Sequence, residues 1–253
     1  MRRLITSIQK ACLLVLAVCF PMAGGCHRAE GDSSANRAPA LSVAAASSNN
    51  LTATSRASRT AIRSGELPPS PADGTLLVEV RTNLGSFTIR LFAEKAPRTV
   101  ENFLENYVER GFYEQTVFHH VERDFMIVAG GYTQDLKPKP TRAWIRNESD
   151  NGLTNRRGTV AMVRHPDYPH SATSQFFINV VDNPSLDYRP SASSDRPEEA
   201  YGYTVFGEVV SGMDVVDRIA AVPTRARGEF PAVPVEPVVI ESIRRIDRAG
   251  SRP

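Results

Sequence analysis

Cysteine is almost missing from this 253-residue chain: three are present, at positions 12, 19 and 26, and none follows. Whatever folds beyond Cys26 has no disulfide to hold it and no thiol to act as nucleophile or metal ligand. An excess of one charge is missing too. The net charge is +2, and taking away Arg2, Arg3 and Lys10 of the first 25 residues leaves −1 for the rest. A near-neutral chain carries no electrostatic footprint for nucleic acid. No apolar run approaches the ~20 residues needed to cross a bilayer as a helix. One of ten, residues 11–20, follows Arg2 and Arg3 and precedes the small residues Ala23, Gly24 and Gly25. That layout reads as an export signal. What the chain does have is 41% hydrophobic residues and, beside them, 18 Pro and 16 Gly, material for one core built from short strands and many turns.

Met22-Ala-Gly-Gly-Cys26 resembles the lipobox of bacterial lipoproteins, in which the cysteine becomes the lipidated first residue. The resemblance implies a signal peptide over 1–25 and a lipid anchor on Cys26. That implies a place in the bacterial cell envelope, on the periplasmic side; an ordinary cleaved signal with a chance cysteine would instead leave the protein soluble in the periplasm. Residues 35–63 are rich in Ala, Ser, Asn, Thr and Arg without a sustained apolar period, and Leu67-Pro-Pro-Ser-Pro71 follows. Such a stretch cannot bury enough apolar surface to offset its ordering entropy, so 26–73 reads as a disordered tether. An ordered domain is expected over 74–247, with a short tail at 248–253.

Within that domain, period-two alternation marks 76–82 and 86–92 as a hairpin about Asn83-Leu-Gly85. Pro97 opens a helix whose apolar positions Val100, Phe103, Leu104, Tyr107 and Val108 end at Gly111. Further strands are expected at 116–121, 125–128, 158–163, 175–181, 204–210 and 238–243. Met213, Val216 and Ile219 mark a second short helix, and 189–200 reads as a polar loop. Many short strands and two helices imply a mainly β closed barrel or sandwich.

Seven runs occur in an order that resembles the cyclophilins: Ala96-Pro-Arg-Thr-Val-Glu-Asn-Phe103, Gly111-Phe-Tyr113, Val117-Phe-His119, Phe125-Met-Ile127, Asn151-Gly152, Ser171-Ala-Thr-Ser-Gln-Phe-Phe-Ile-Asn179 and Tyr203-Thr-Val-Phe-Gly207. The bacterial subgroup is the nearest likeness. The resemblance implies a closed eight-stranded antiparallel β-barrel capped by two α-helices, with peptidyl-prolyl cis-trans isomerase activity. That reaction turns an X–Pro bond across a barrier of about 18–20 kcal/mol without breaking it, so no nucleophile, metal or cofactor is expected. It calls for an apolar recess for the pyrrolidine ring and donors that favour the twisted amide. The resemblance assigns the recess to Phe125, Met126, Phe177 and Leu186, a backbone-gripping amide to Gln175, the rim to Tyr203, and the histidine beside the catalytic cation to His119.

Three positions depart from the family. His120 stands in place of the catalytic arginine, Val128 in place of a glutamine, and Ser185 in place of an aromatic residue. Histidine has a shorter reach and, when neutral, a single N–H. Three outcomes follow from the residues: His120 donates weakly, giving a slow isomerase favoured by mild acid; Arg164 or Arg123 supplies the charge, with Arg164, just after the stretch 161–163 that lines the groove in the family, the preferred substitute against its reading as a solvated surface arginine; or the domain binds prolyl peptides without turning them. His119 and His120 point to opposite faces of a strand and cannot chelate one ion, and no metal site is expected. The implied partners are proline-containing peptides or unfolded exported proteins, plus a membrane through the lipid, with the chain itself a monomer.

Overall fold

A computed structural model describes residues 76–190 and 201–246. Cys26, the leader, the tether, most of the expected 189–200 loop and the tail lie outside the described residues. The first hairpin follows from its sequence. In β1 (Leu76–Thr82) and β2 (Gly85–Leu91), Val78, Val80, Phe87 and Ile89 are buried while Arg81 and Arg90 are exposed. Thr82 Oγ1 accepts from Leu84 N (3.1 Å) and donates to Gly85 O (2.7 Å), closing the turn at a glycine with φ +127°.

The other strands are β3 (Thr116–Val117), β4 (His120–Val121), β5 (Met126–Ala129), β6 (Thr159–Met162), β7 (Phe176–Asn179), β8 (Val205–Ser211), β9 (Thr224–Arg227), β10 (Phe230–Pro234) and β11 (Val239–Ile246). Nine form one sheet in the order β3-β11-β1-β2-β8-β6-β7-β5-β4, with all pairs antiparallel. Its two ends are consecutive in sequence. Within 116–121 the backbone changes partner at one point: Phe118 N donates to Val238 O before β11, and His119 N donates to Val128 O in β5. One segment thus supplies both ends of a strongly curled sheet. Taken as a single strand, it accounts for the eight strands expected. The β9–β10 ribbon was not foreseen, because Thr224-Arg-Ala-Arg227 is exposed along its whole length and shows no alternation.

Helix α1 (Pro97–Glu101) continues as a π-helical stretch, Asn102–Val108, a departure from the α-helix expected to Gly111. Its bonds widen to i→i+5, as in Glu109 N to Leu104 O (2.9 Å). Asn102 is tied to Thr173 O (2.8 Å), and Phe103 meets Phe206 and Phe176 at ring distances of 5.1 and 5.8 Å. Helix α2 (Met213–Ala220) buries Val215, Val216 and Ile219. Both helices pack on the main core, with Ile127, Val160 and Ile178. Among the described residues, no helix is long and apolar enough to cross a membrane.

Candidate functional site

Side chains of neighbouring residues on a strand point to opposite faces, and directly paired residues on adjacent strands share a face. In β5, β6 and β7 one face carries Ile127, Ala129, Val160, Met162, Phe176 and Ile178 into the main core. The other carries Met126, Val128, Ala161 and Phe177 into a second apolar cluster with Phe125, Val163, Leu186 and Val205. The register runs His120↔Val128↔Phe177↔Ala161↔Val205 across five strands. His120 therefore ends a row whose other members line the second cluster.

The structure brings Phe125, Met126, Phe177 and Leu186 together, as the resemblance requires of a prolyl recess. The cluster reaches the surface, since Phe125 keeps 9% exposure and Tyr203, Leu153 and Phe92 pack on it half-buried. Tyr203 meets Phe177 edge-on at 5.6 Å. Its walls are fixed through main-chain carbonyls. Asn183 Nδ2 donates to Phe125 O (3.0 Å) and Asn179 Oδ1 (2.7 Å); Asn179 Nδ2 reaches Asn155 Oδ1 (3.2 Å). Asn155 Nδ2 and Tyr203 N both donate to Leu186 O, at 3.1 and 2.9 Å. Three buried asparagines thus join the Phe125 wall to the Leu186 wall. The sequence marks none of them: Asn179 falls in the strand expected at 175–181, and Asn155 and Asn183 fall between expected elements. Gly202 lets the 201–203 segment press in: a Cβ there would lie 2.4 Å from Tyr188 N and 2.6 Å from Leu186 O.

Gln175 immediately precedes β7, two residues from Phe177 and on the same face. Its side chain lies over Gly131, where a Cβ would come within 2.7 Å of its Cγ and Cδ. That close approach was not legible in the paired glycines, which read only as a bend.

Two expectations are corrected. Arg164 supplies no free cation to the recess and is not a solvated surface residue. It is 7% exposed, and its guanidinium donates to the carbonyls of Gly202 (3.2 Å), His165 (2.9 Å), Pro166 (2.8 Å) and Tyr201 while lying 4.9 Å from the centre of the Tyr203 ring. It clamps the loop that carries Tyr203. His119 is fully buried and turns to the opposite face of its segment from His120, away from the recess; it packs on Tyr132 and Phe230 at 4.6 and 6.0 Å, beneath the β9–β10 ribbon. Burial, and then the neighbouring His120, push its pKa down to about 3, against the opposing pull of the Val117 backbone and the Gln175 side chain. Arg123 and Ser185 are exposed.

His120 is 2% exposed and sits at the recess. Its Nε2 lies 2.8 Å from Glu122 Oε1, and its buried Nδ1 has no hydrogen-bond partner among the described residues. The sequence reading missed Glu122, whose signal was an acid two positions along from the histidine. Among the described residues, no three His, Cys, Asp or Glu side chains gather as a metal site.

The chain matches the model of the family described as cyclophilin type peptidyl-prolyl cis-trans isomerase/CLD over residues 77–245. It is 50% identical over 167 residues to peptidyl-prolyl cis-trans isomerase B of Escherichia coli, covering 66% of this chain and 98% of that protein. Identity is also 50% over 167 residues to peptidyl-prolyl cis-trans isomerase cyp18 of Streptomyces antibioticus, covering 66% and 96%. Among solved structures, a cyclophilin-type isomerase of Cryptosporidium parvum superposes with a TM-score of 0.55 at 22% identity, covering 69% of this chain and 99% of that one. The apolar recess, the curled sheet and these matches converge, and the chain belongs to the cyclophilin-type peptidyl-prolyl cis-trans isomerases.

Proposed function

We propose that this isomerase acts on X–Pro bonds of exported proteins, and that His120 limits its rate by standing where the family carries arginine. The observation that carries this reading is the cross-strand row ending at His120. The recess beside it holds apolar groups for a prolyl ring, Gln175 beside Phe177 for the adjoining main chain, and one polar side chain in line with them. The two arginines that could stand in are engaged by backbone carbonyls or exposed. A cyclophilin of Cryptosporidium parvum whose structure was solved in the presence of the dipeptide Ala-Pro supports prolyl peptides as the ligand class.

The prolyl ring sits against Phe125, Met126, Phe177 and Leu186, Gln175 fastens the peptide, and the far side of the bond turns. A donor aimed at the prolyl nitrogen withdraws its lone pair from conjugation and lowers the barrier; one such donor is worth on the order of 10²–10³ in rate. Histidine supplies less than an arginine fork, which slows turnover without abolishing binding. In a protease-free assay on an Ala-Pro peptide, His120→Arg raises kcat/KM about tenfold or more. An unchanged rate in a folded variant sinks the assignment of His120, and no catalysis by either protein leaves a peptide-binding module. Export and anchoring rest on the leader and Cys26: the protein is tethered by a lipid on Cys26 at the periplasmic side of the envelope. Labelled palmitate enters the wild type and not Cys26→Ser; label in neither overturns the anchor.

A further inference from the structure

We infer that Glu122 is a positioning residue that holds the His120 ring by Nε2, so that the partnerless Nδ1 serves the prolyl amide and donates only when the ring carries a second proton. This rests on the reading of His120 as the donor and deepens it.

An ionised carboxylate can only accept hydrogen bonds, so the 2.8 Å contact with Glu122 Oε1 requires the hydrogen on His120 Nε2. A neutral imidazole has a single N–H. With that hydrogen at Nε2, Nδ1 is a bare acceptor and cannot assist a nitrogen whose lone pair must be drawn off. The second proton, taken from solvent, goes to Nδ1 and is the one that matters. It is not transferred to the peptide; it only points at it. Glu122 balances the added charge and also prevents the ring from turning over.

Burial of the ring sets this contact apart from an exposed surface ion pair, which contributes little. The His120 side chain is 3% exposed, whereas that of Glu122 is 37% exposed. Nδ1 is buried and has no hydrogen-bond partner among the described residues, an arrangement that costs free energy unless a ligand completes it. The surrounding charges are few. β5 and β10, which pack on β4, carry no titratable side chain, and neither does β7 beyond β5. On the segment itself, His119 stays neutral down to a pH of about 3, and Arg123 and Asp124 are exposed in the turn. Glu122 is the one acid bonded to the ring among the described residues.

The test uses Glu122→Ala, Glu122→Gln and His120→Ala, each with the wild type as reference. Glu122→Ala lowers kcat about fivefold to tenfold with KM little changed. Imidazole ¹⁵N correlation spectra at alkaline pH show Nε2–H in the wild type and a mixture of tautomers in Glu122→Ala. Glu122→Gln, which can still accept from Nε2, keeps the wild-type tautomer. In the His120→Arg protein, Glu122→Ala changes kcat by less than about twofold. Should His120→Ala lose activity while Glu122→Ala keeps both its kcat and its tautomer, the role of Glu122 is overturned and the donor stands. Should His120→Ala keep full activity, the donor reading itself is wrong.

Discussion

The two faces of the wall formed by β5, β6 and β7 are equally apolar and equally buried, yet they do different work. The inner face, with Ile127, Val160, Phe176 and Ile178, packs under both helices. The outer face, with Met126, Val128, Ala161 and Phe177, packs against Val205 of β8, against segments outside the strands at Phe125 and Leu186, and against a half-buried Tyr203. Adjacent histidines mark the contrast. His119 is sealed beneath the β9–β10 ribbon and held neutral, while His120 keeps a solvent-linked partner in Glu122. The difference teaches that burial alone does not identify core; what covers a face decides whether a ligand can replace the cover.

The largest expected effect separates the histidines by pH. The pKa of His119 falls from 6.5 to about 3 on folding. Between those values the unfolded chain binds more protons than the folded one, so stability drops as pH falls through that window and is unaffected by this group above it. The full loss is on the order of 5 kcal/mol below pH 3. Urea midpoints measured from pH 7 to 3 should show this slope, and His119→Gln should flatten it; an equal slope in the variant breaks the contrast.

Neighbouring phenylalanines test the two faces directly. Phe176→Ala removes a core ring and costs about 3–5 kcal/mol of stability, read by thermal denaturation. Phe177→Ala falls mainly on function, lowering kcat/KM for an Ala-Pro peptide by at least about tenfold, since it deletes the floor of the recess. Equal losses of stability and no selective loss of activity would erase the distinction between faces. A smaller effect is expected at Gly131→Ala, whose new methyl would displace Gln175. It should raise KM severalfold with stability changed by roughly 1 kcal/mol; a peptide titration followed by chemical shift checks it.

Much of this arrangement was legible beforehand, for reasons that can be stated residue by residue. Period-two alternation in 76–91 is enforced by a one-sided core, so β1 and β2 were readable from Val78, Val80, Phe87 and Ile89. The recess residues were readable only by likeness to a family, because Met126 and Phe177 look no different from core in isolation. Misreadings arose at residues whose partners are distant in sequence. Arg164 looked available because its carbonyl partners at 201 and 202 lie across a loop. The ribbon of β9 and β10 carries no pattern of its own, since its buried side is a single patch at Phe230 and Val233.

By itself the sequence determined the number and order of the main strands and the two helices, because hydrophobic periodicity and turn residues act locally; the make-up of the recess came only through likeness to a family. Only the tertiary structure decided that 116–121 serves both ends of the sheet, that Arg164 is consumed by a loop, and that His120 is gripped by Glu122. Those outcomes depend on which backbone groups and side chains meet through space, and a hydrogen bond between distant residues leaves no period in the chain.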